Sequence, residues 1–411
     1  MPPSLQASEP QRLRTALLLA LLLLFSTLLP AQSTTPYVVM LSMDGFRWDF
    51  PDIYPTPNLD RITSEGVKAL SLQPAFPTKT FPNHYTMVTG LYPDHHGIVQ
   101  NEFFDASTGK YYRIGDREAV ENPAFYDGEP IWATAEKNGI TTASFFWVGS
   151  EAAIDGIQPT YWKRYDGSIP YGQRIDTVIY WLSLPESVRP HLITWYIDEP
   201  DHTGHDKGPL SDETKSMVIY LDSLVGVFLN KLDKLPVASE VNVIITSDHG
   251  MGEIKPERTV YLNKYIEKEW FDQAEGYSPN YILDVKDEHA EQAWEALKGI
   301  PHVQVWKYGQ VPEWLHYGTN PRTRDFILVA DSAWQVTFKE QAPRSRGAHG
   351  YVPANKDMHA IFIAKGPAFK EGYIQSTFEN IDLYELLCHL LGVEPAQNDG
   401  NLKNVRGMLK D

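Results

Sequence analysis

Cysteine is almost missing from this 411-residue sequence, since Cys388 stands alone and no disulfide can form within the chain. It sits in the apolar run IDLYELLCHLLG, which reads as a buried, inert thiol. Asn-x-Ser/Thr glycosylation acceptors are absent altogether. Positive charge is scarce: 36 Lys and Arg stand against 53 Asp and Glu, for a net charge of -17. That excludes a surface that coats nucleic acid, which has to be basic. It does not exclude a nucleotide-sized ligand, because a bound cation or a local basic pocket can reverse the field at one place. Long hydrophobic runs are limited to one, ALLLALLLLFSTLLPAQ at 16–32, behind Arg12 and Arg14. It falls short of the roughly 20 residues that span a bilayer comfortably. With small residues around Ala31 it reads as a secretory signal over residues 1–32, an uncleaved anchor being the alternative. An exported chain without disulfides or glycosylation sites points to a bacterial protein, periplasmic or secreted. No internal repeat or low-complexity segment stands out.

Several short, continuous apolar runs end in a polar or glycine turn: YVVMLSMDG (37–45), ITTASFFWVGS (140–150), HLITWYIDEPD (191–201), VNVIITSDHG (241–250) and HAIFIAKGP (359–367). Runs that do not alternate predict strands covered on both faces, as in a mainly parallel sheet. Helix-length amphipathic segments lie between them at 58–66, 130–138, 173–184, 211–235 and 379–391. The alternation predicts a doubly wound α/β fold with helices on both faces. Residues from about 253 to 346 break the rhythm. They hold one helix-like segment, EHAEQAWEALKG (288–299), among short strand candidates, and predict a small inserted α+β subdomain within a single domain at 33–411.

The strand ends carry the chemistry. Asp44 ends the first, Asp201 and His205 follow the third, Asp248 and His249 end the fourth, and His349 lies in the glycine-flanked GAHGY. In a doubly wound sheet these loops gather at one edge. Three carboxylates and three imidazoles suit zinc, with manganese or another divalent ion possible. A second feature is PTKTFPNHYTMVTG at 77–90. Pro82 places Thr80 and Phe81 at a helix N-terminus, where free N–H groups favour an anion. Thr80 is then either a helix cap or a hydroxyl nucleophile awaiting an activator.

Together the motifs resemble the nucleotide pyrophosphatase/phosphodiesterases of the alkaline phosphatase superfamily. The likeness runs through MDGFRWD (43–49), PTKTFPNHYTMVTGLYPDHHGI (77–98), GEPIW (128–132), FFWVGSE (145–151), EPDHTGH (199–205), SDHGM (247–251), HGY (349–351) and TFENIDLYELLCHLLG (377–392). It implies an alkaline phosphatase-like fold and two Zn2+. One ion would be held by Asp44, Asp248, His249 and the Thr80 oxygen, the other by Asp201, His205 and His349. It further implies that Asn101 and the Phe81 N–H meet a phosphate oxygen. Phe81 and Tyr165 would sandwich a nucleobase, with Trp147 in the pocket wall.

The implied activity is hydrolysis of nucleotide phosphodiesters and pyrophosphates through a threonyl-nucleotide on Thr80, releasing nucleoside 5'-monophosphates. Nucleoside triphosphates, dinucleotides and nucleotide esters are the substrates this implies. A choline-phosphate or lysophospholipid phosphodiesterase with the same metals is the alternative. The family's tryptophan-proline-glycine run reads Trp147-Val148-Gly149 here. The segment 105–127 holds Lys110, Arg113 and Arg117, in a region that supplies cationic contacts in nucleotide-cleaving members. Lys79 has no role in this scheme.

Overall fold

The computed structural model describes residues 36–410, so the apolar run read as a signal lies outside the described residues. An eight-stranded sheet forms the centre. Its strands are β1 (Tyr37–Met43), β2 (Val67–Ala69), β3 (Thr142–Phe145), β4 (Tyr161–Lys163), β5 (Leu192–Ile197), β6 (Val241–Thr246), β7 (Phe362–Lys365) and β8 (Tyr373–Gln375). Across the sheet the order is β8-β2-β7-β6-β1-β5-β3-β4. Helices α1 (Pro57–Glu65), α2 (Thr80–Thr89), α3 (Ile131–Lys137), α4 (Tyr171–Leu182), α5 (Asp201–Lys207), α6 (Asp212–Leu232) and α7 (Asp382–Leu391) cover it.

β1 shows why the apolar runs are continuous. Val38 and Met40 point into one core with residues of α2, α3 and α7. Val39, Leu41 and Met43 point into a second core with α1, α4 and α6. A strand buried on both faces has no position for a solvated side chain. Pairing from β6 through β1, β5 and β3 to β4 is parallel. β7 corrects the expectation that a parallel pattern resumes at His359, because it lies antiparallel to both β6 and β2. The chain returns beside the carboxyl end of β6, where Phe362 pairs with Thr246, and can only run back along it.

The inserted segment carries its own four-stranded antiparallel sheet, ordered Phe271–Tyr277, Asn280–Val285, Phe326–Ala330, Val303–Lys307. Alternation splits that sheet between two environments. Ile282, Ile327 and Val329 join the core of the main body, whereas Leu283, Phe326 and Leu328 pack with Ala293 and Leu297 of the helix Ala290–Leu297. The insertion is thereby fastened to the face of the molecule that carries the strand-end residues described next.

Candidate active site

β1, β5 and β6 are neighbours and parallel, so their carboxyl ends release Asp44, Asp201 and Asp248 side by side. Gly45, just past β1, has φ +69, and a Cβ there would stand 3.0 Å from the Asp201 Cα. Only glycine lets these two strand ends approach so closely. His349 arrives on the returning chain, next to a short antiparallel pairing of Gly347–Ala348 with Gly252–Glu253.

The six residues fall into two groups, Asp44–Asp248–His249 and Asp201–His205–His349, and within each group the ligand atoms lie within 4.8 Å of one another. The imidazoles are oriented alike. His205 Nδ1 is 2.8 Å from the Gly347 carbonyl, His249 Nδ1 2.8 Å from that of Gly250, and His349 Nδ1 2.9 Å from that of Thr78. A carbonyl can only accept, so each Nδ1 carries a hydrogen and each Nε2 is left facing the carboxylates. His205 and His349 Nε2 both lie 3.6 Å from Asp201 Oδ1. His249 Nε2 lies 3.0 Å from Asp248 Oδ2 and 3.5 Å from Asp44 Oδ1.

One oxygen of each carboxylate, Asp44 Oδ1, Asp201 Oδ1 and Asp248 Oδ2, is buried and accepts no hydrogen bond. Three orphaned acceptors facing three imidazole lone pairs would be costly without a cation. A tethered imidazole and an oriented carboxylate are the usual surroundings of a metal ligand. The residues therefore fit two metal ions.

The electrostatics agree. Burial, with Asp248 and Asp201 close by, pushes the Asp44 carboxyl well above its usual range. Burial also acts to raise Asp248, but the His249 and His84 imidazoles, where protonated, hold its carboxyl below the usual range, their protons supplying the positive charge an ion would bring. Burial drives His349 well down, with His249 and His205 next to it adding to the effect.

Thr80 is the first residue of α2, and Lys79 holds the capping position. The hydroxyl does not cap the helix: Thr80 Oγ1 lies 3.3 Å from His249 Nε2, on the Asp44–Asp248–His249 side. The cap alternative therefore falls. Asn101 does that work instead, its Oδ1 accepting the Phe81 N–H at 3.0 Å, while its Nδ2 donates to the Tyr277 hydroxyl at 2.7 Å. Lys79 also acquires a place. It is fully buried, its Nζ lies 3.9 Å from the centre of the Tyr277 ring, and burial pushes its pKa down to about 7.

A cavity of about 460 Å³ opens onto Thr80 and the Asp201 group. Phe81, Trp147 and Tyr165 all line it, as does Val148 in place of the family's proline. Trp147 is pinned by a 3.0 Å hydrogen bond from Nε1 to the His84 carbonyl. Tyr165 leans on Phe146, ring centres 5.0 Å apart. Phe146 itself has φ +74, a strained position just past β3. Of the three cations in 105–127, only Arg117 reaches the cavity. Lys110 and Arg113 sit on the strand Lys110–Arg113 of a hairpin with Glu102–Asp105.

Sequence reasoning missed the residues that orient this site. Tyr196 donates to Asp44 Oδ2 at 2.7 Å. His84 lies 2.9 Å from both the Ser42 hydroxyl and the Thr80 carbonyl. Tyr277 comes from the insertion, far away in sequence. The one available signal was the four-residue spacing of His84 from Thr80, which stacks them on one helix face.

Residues 38–352 match the family described as Type I phosphodiesterase / nucleotide pyrophosphatase. The chain is 36% identical over 387 residues to ectonucleotide pyrophosphatase/phosphodiesterase family member 3 of Mus musculus, covering 91% of this chain and 44% of that protein. It is 36% identical over 399 residues to venom phosphodiesterase CdcPDE of Crotalus durissus collilineatus, covering 94% of this chain and 48% of that protein. The chain thus spans less than half the length of these curated relatives. Among solved structures, inactive murine ectonucleotide pyrophosphatase/phosphodiesterase 5 in complex with AMP superposes with a TM-score of 0.88 at 34% identity, covering 91% of this chain and all of that one. The fold is accordingly the alkaline phosphatase-like one. The sequence match, the superposition and the strand-end geometry agree, and the chain belongs to the type I phosphodiesterase / nucleotide pyrophosphatase family.

Proposed function

We propose that this chain is a two-zinc hydrolase that cleaves nucleotide phosphodiester and pyrophosphate bonds and releases nucleoside 5'-monophosphates. The observation that carries the reading is the set of three orphaned carboxylate oxygens facing three Nε2 atoms, with the uncapped Thr80 hydroxyl beside them. Asp44, Asp248, His249 and Thr80 would hold one ion, and Asp201, His205 and His349 the other. Zinc suits such mixed oxygen and nitrogen ligands, three or four to an ion. When bound, the ions supply the positive charge that lets the Thr80 hydroxyl shed its proton to solvent and that offsets charge on the phosphoryl oxygens.

The protein's own part is positioning. α2 presents Thr80 Oγ1 for in-line attack, forming an oxygen–phosphorus bond as the bond to the leaving oxygen breaks. Water then cleaves the threonyl-nucleotide, returning the Thr80 hydroxyl and freeing the monophosphate. Asn101, whose Oδ1 takes the Phe81 N–H and whose Nδ2 donates one hydrogen to Tyr277, keeps its second Nδ2 hydrogen for a phosphate oxygen at the helix N-terminus. Phe81 and Tyr165 offer rings to the base, with Trp147 as the wall. The AMP bound to the murine relative supports a nucleotide in this cavity. Export is part of the proposal, resting on the N-terminal run and on the ectoenzyme and venom relatives. Among the described residues, no helix is long and apolar enough to cross a membrane.

The test compares a nitrophenyl nucleotide ester, nitrophenyl phosphorylcholine and nitrophenyl phosphate, with metal content measured alongside. Expected are two zinc ions per chain, turnover of the nucleotide ester, and loss of that turnover on chelation. Preference for phosphorylcholine would move the protein to the lipid-directed alternative. Turnover of the monoester alone, indifferent to chelators, would overturn the reading.

A further inference from the structure

The cations around the catalytic cavity are already committed. Among the described residues that line it, Arg117 is the single lysine or arginine, against the carboxylates Asp44, Glu151 and Asp201 on the same wall. Its Nη2 forms a close ion pair with Glu151 and lies 3.3 Å from Glu121. Glu151 is itself buried and also accepts the Tyr165 N–H at 3.2 Å. Arg117 is thus fixed toward the aromatic wall and its charge is met. Lys79, whose charge is felt by Asp201 and His349, is buried against Tyr277 and does not line the cavity.

The direction of departure can be reasoned from Thr80. In-line displacement expels the leaving group opposite the nucleophile, and Thr80 Oγ1 lies by His249. The far side is that of Asp201, His205 and His349, where α5 carries His202. His202 lines both the cavity and an adjoining open groove of about 570 Å³. That groove sets Glu199, Asp206, Asp212 and Glu213 against Lys207. Past the ion that Asp201, His205 and His349 would hold, a departing polyanion would find no unpaired lysine or arginine on the cavity wall and four carboxylates against Lys207 in the groove.

We infer that, within the nucleotide hydrolysis proposed above and resting on it, this enzyme selects against polyanionic leaving groups. Its substrates are nucleotide diesters and dinucleotides whose departing half carries less negative charge than pyrophosphate, in preference to nucleoside triphosphates that must expel pyrophosphate. The repulsion is a field effect that acts chiefly on capture of the substrate, so it weakens with salt.

The experiment measures kcat/KM of the zinc-loaded enzyme for ATP and for P1,P2-diadenosine diphosphate, at low and high sodium chloride, without added divalent cation. Both substrates release AMP from a P–O–P linkage, and they differ in the charge that departs. The dinucleotide is expected to lead by about tenfold or more at low salt, with ATP gaining on it as salt rises. The exposed Glu213→Lys variant is expected to raise kcat/KM for ATP about threefold and to leave the nitrophenyl nucleotide ester unchanged. ATP turned over at least as fast as the dinucleotide at low salt, with a rate that falls on adding salt, would overturn the inference while leaving the proposed hydrolysis intact. Turnover of none of the three substrates would instead overturn the proposed function, and the inference with it.

Discussion

Tyr196→Phe removes one oxygen atom and, with it, the one hydrogen bond that orients Asp44. The phenol donates to Asp44 Oδ2 at 2.7 Å, while Oδ1 accepts nothing and faces His249. Asp44 is 3% exposed, so water does not replace the lost donor at little cost. A hydrogen bond to a charged group contributes about 1.5–3 kcal/mol, more when its loss leaves a buried partner bare. Expressed on metal affinity, loss of an orienting partner weakens binding roughly 10- to 100-fold. That corresponds to about 1.4–2.7 kcal/mol, in line with the hydrogen-bond figure.

Competition with a chromogenic zinc chelator reads the affinity directly. One of two sites is expected to weaken by that factor while the Asp201 site holds, and turnover should recover when excess zinc is supplied. Unfolding midpoints of the metal-free proteins control for damage, since the substitution leaves the ring in place. Wild-type affinity at both sites would refute the argument that Tyr196 acts by orienting Asp44 as a ligand.

Three further outcomes follow from the geometry. Gly45→Ala places a Cβ at 3.0 Å from Asp201 Cα and 3.2 Å from its Oδ1, on a backbone with φ +69; bound zinc and turnover should both fall, and unaltered metal content would contradict this. Glu275 is buried with both oxygens unpartnered, and burial pushes its pKa up to about 7 from a usual 4.5. It keeps its proton when folded while the unfolded chain loses it. Stability is therefore complete below about 4.5 and is lost as pH rises toward 7, by up to about 3 kcal/mol. Urea unfolding of Glu275→Gln relative to the parent should show the variant gaining across that window, and a pH-independent difference would count against it. Cys388 is 1% exposed and burial pushes its thiol up to about 12, so aromatic disulfide reagents should label it only at the rate of unfolding.

The long strands were legible because burial on both faces leaves a continuous apolar signature, and β1, β5 and β6 fall inside the runs read from sequence. β2, β4 and β8, three residues each, are too short to carry any period. The direction of β7 depends on where the insertion returns the chain, which no local pattern records. Within the run at 140–150 the strand stops at Phe145, and the turn that ends the run begins with Phe146 in a left-handed conformation.

The six ligand-type residues were visible since each follows a strand end or lies beside glycine, Asp201 and His205 one helical turn apart on α5 and the others in loops with small or turn-forming neighbours. Both groupings implied by the family resemblance coincide with the two clusters in space. Tyr196, Tyr277 and Glu151 act across the fold, through contacts between segments far apart in sequence, and nothing local marks them. Lys79 was likewise opaque, for its neighbour is the ring of Tyr277, 198 residues away.

The proposed chemistry stands or falls with Thr80 as the nucleophile of a metal-dependent phosphodiesterase. The most direct measurement is turnover of a nitrophenyl nucleotide ester by Thr80→Ala, loaded with zinc and shown to be folded. The account predicts a fall of about a thousandfold or more, as expected when a covalent nucleophile is removed. Turnover within a few-fold of the parent would contradict it.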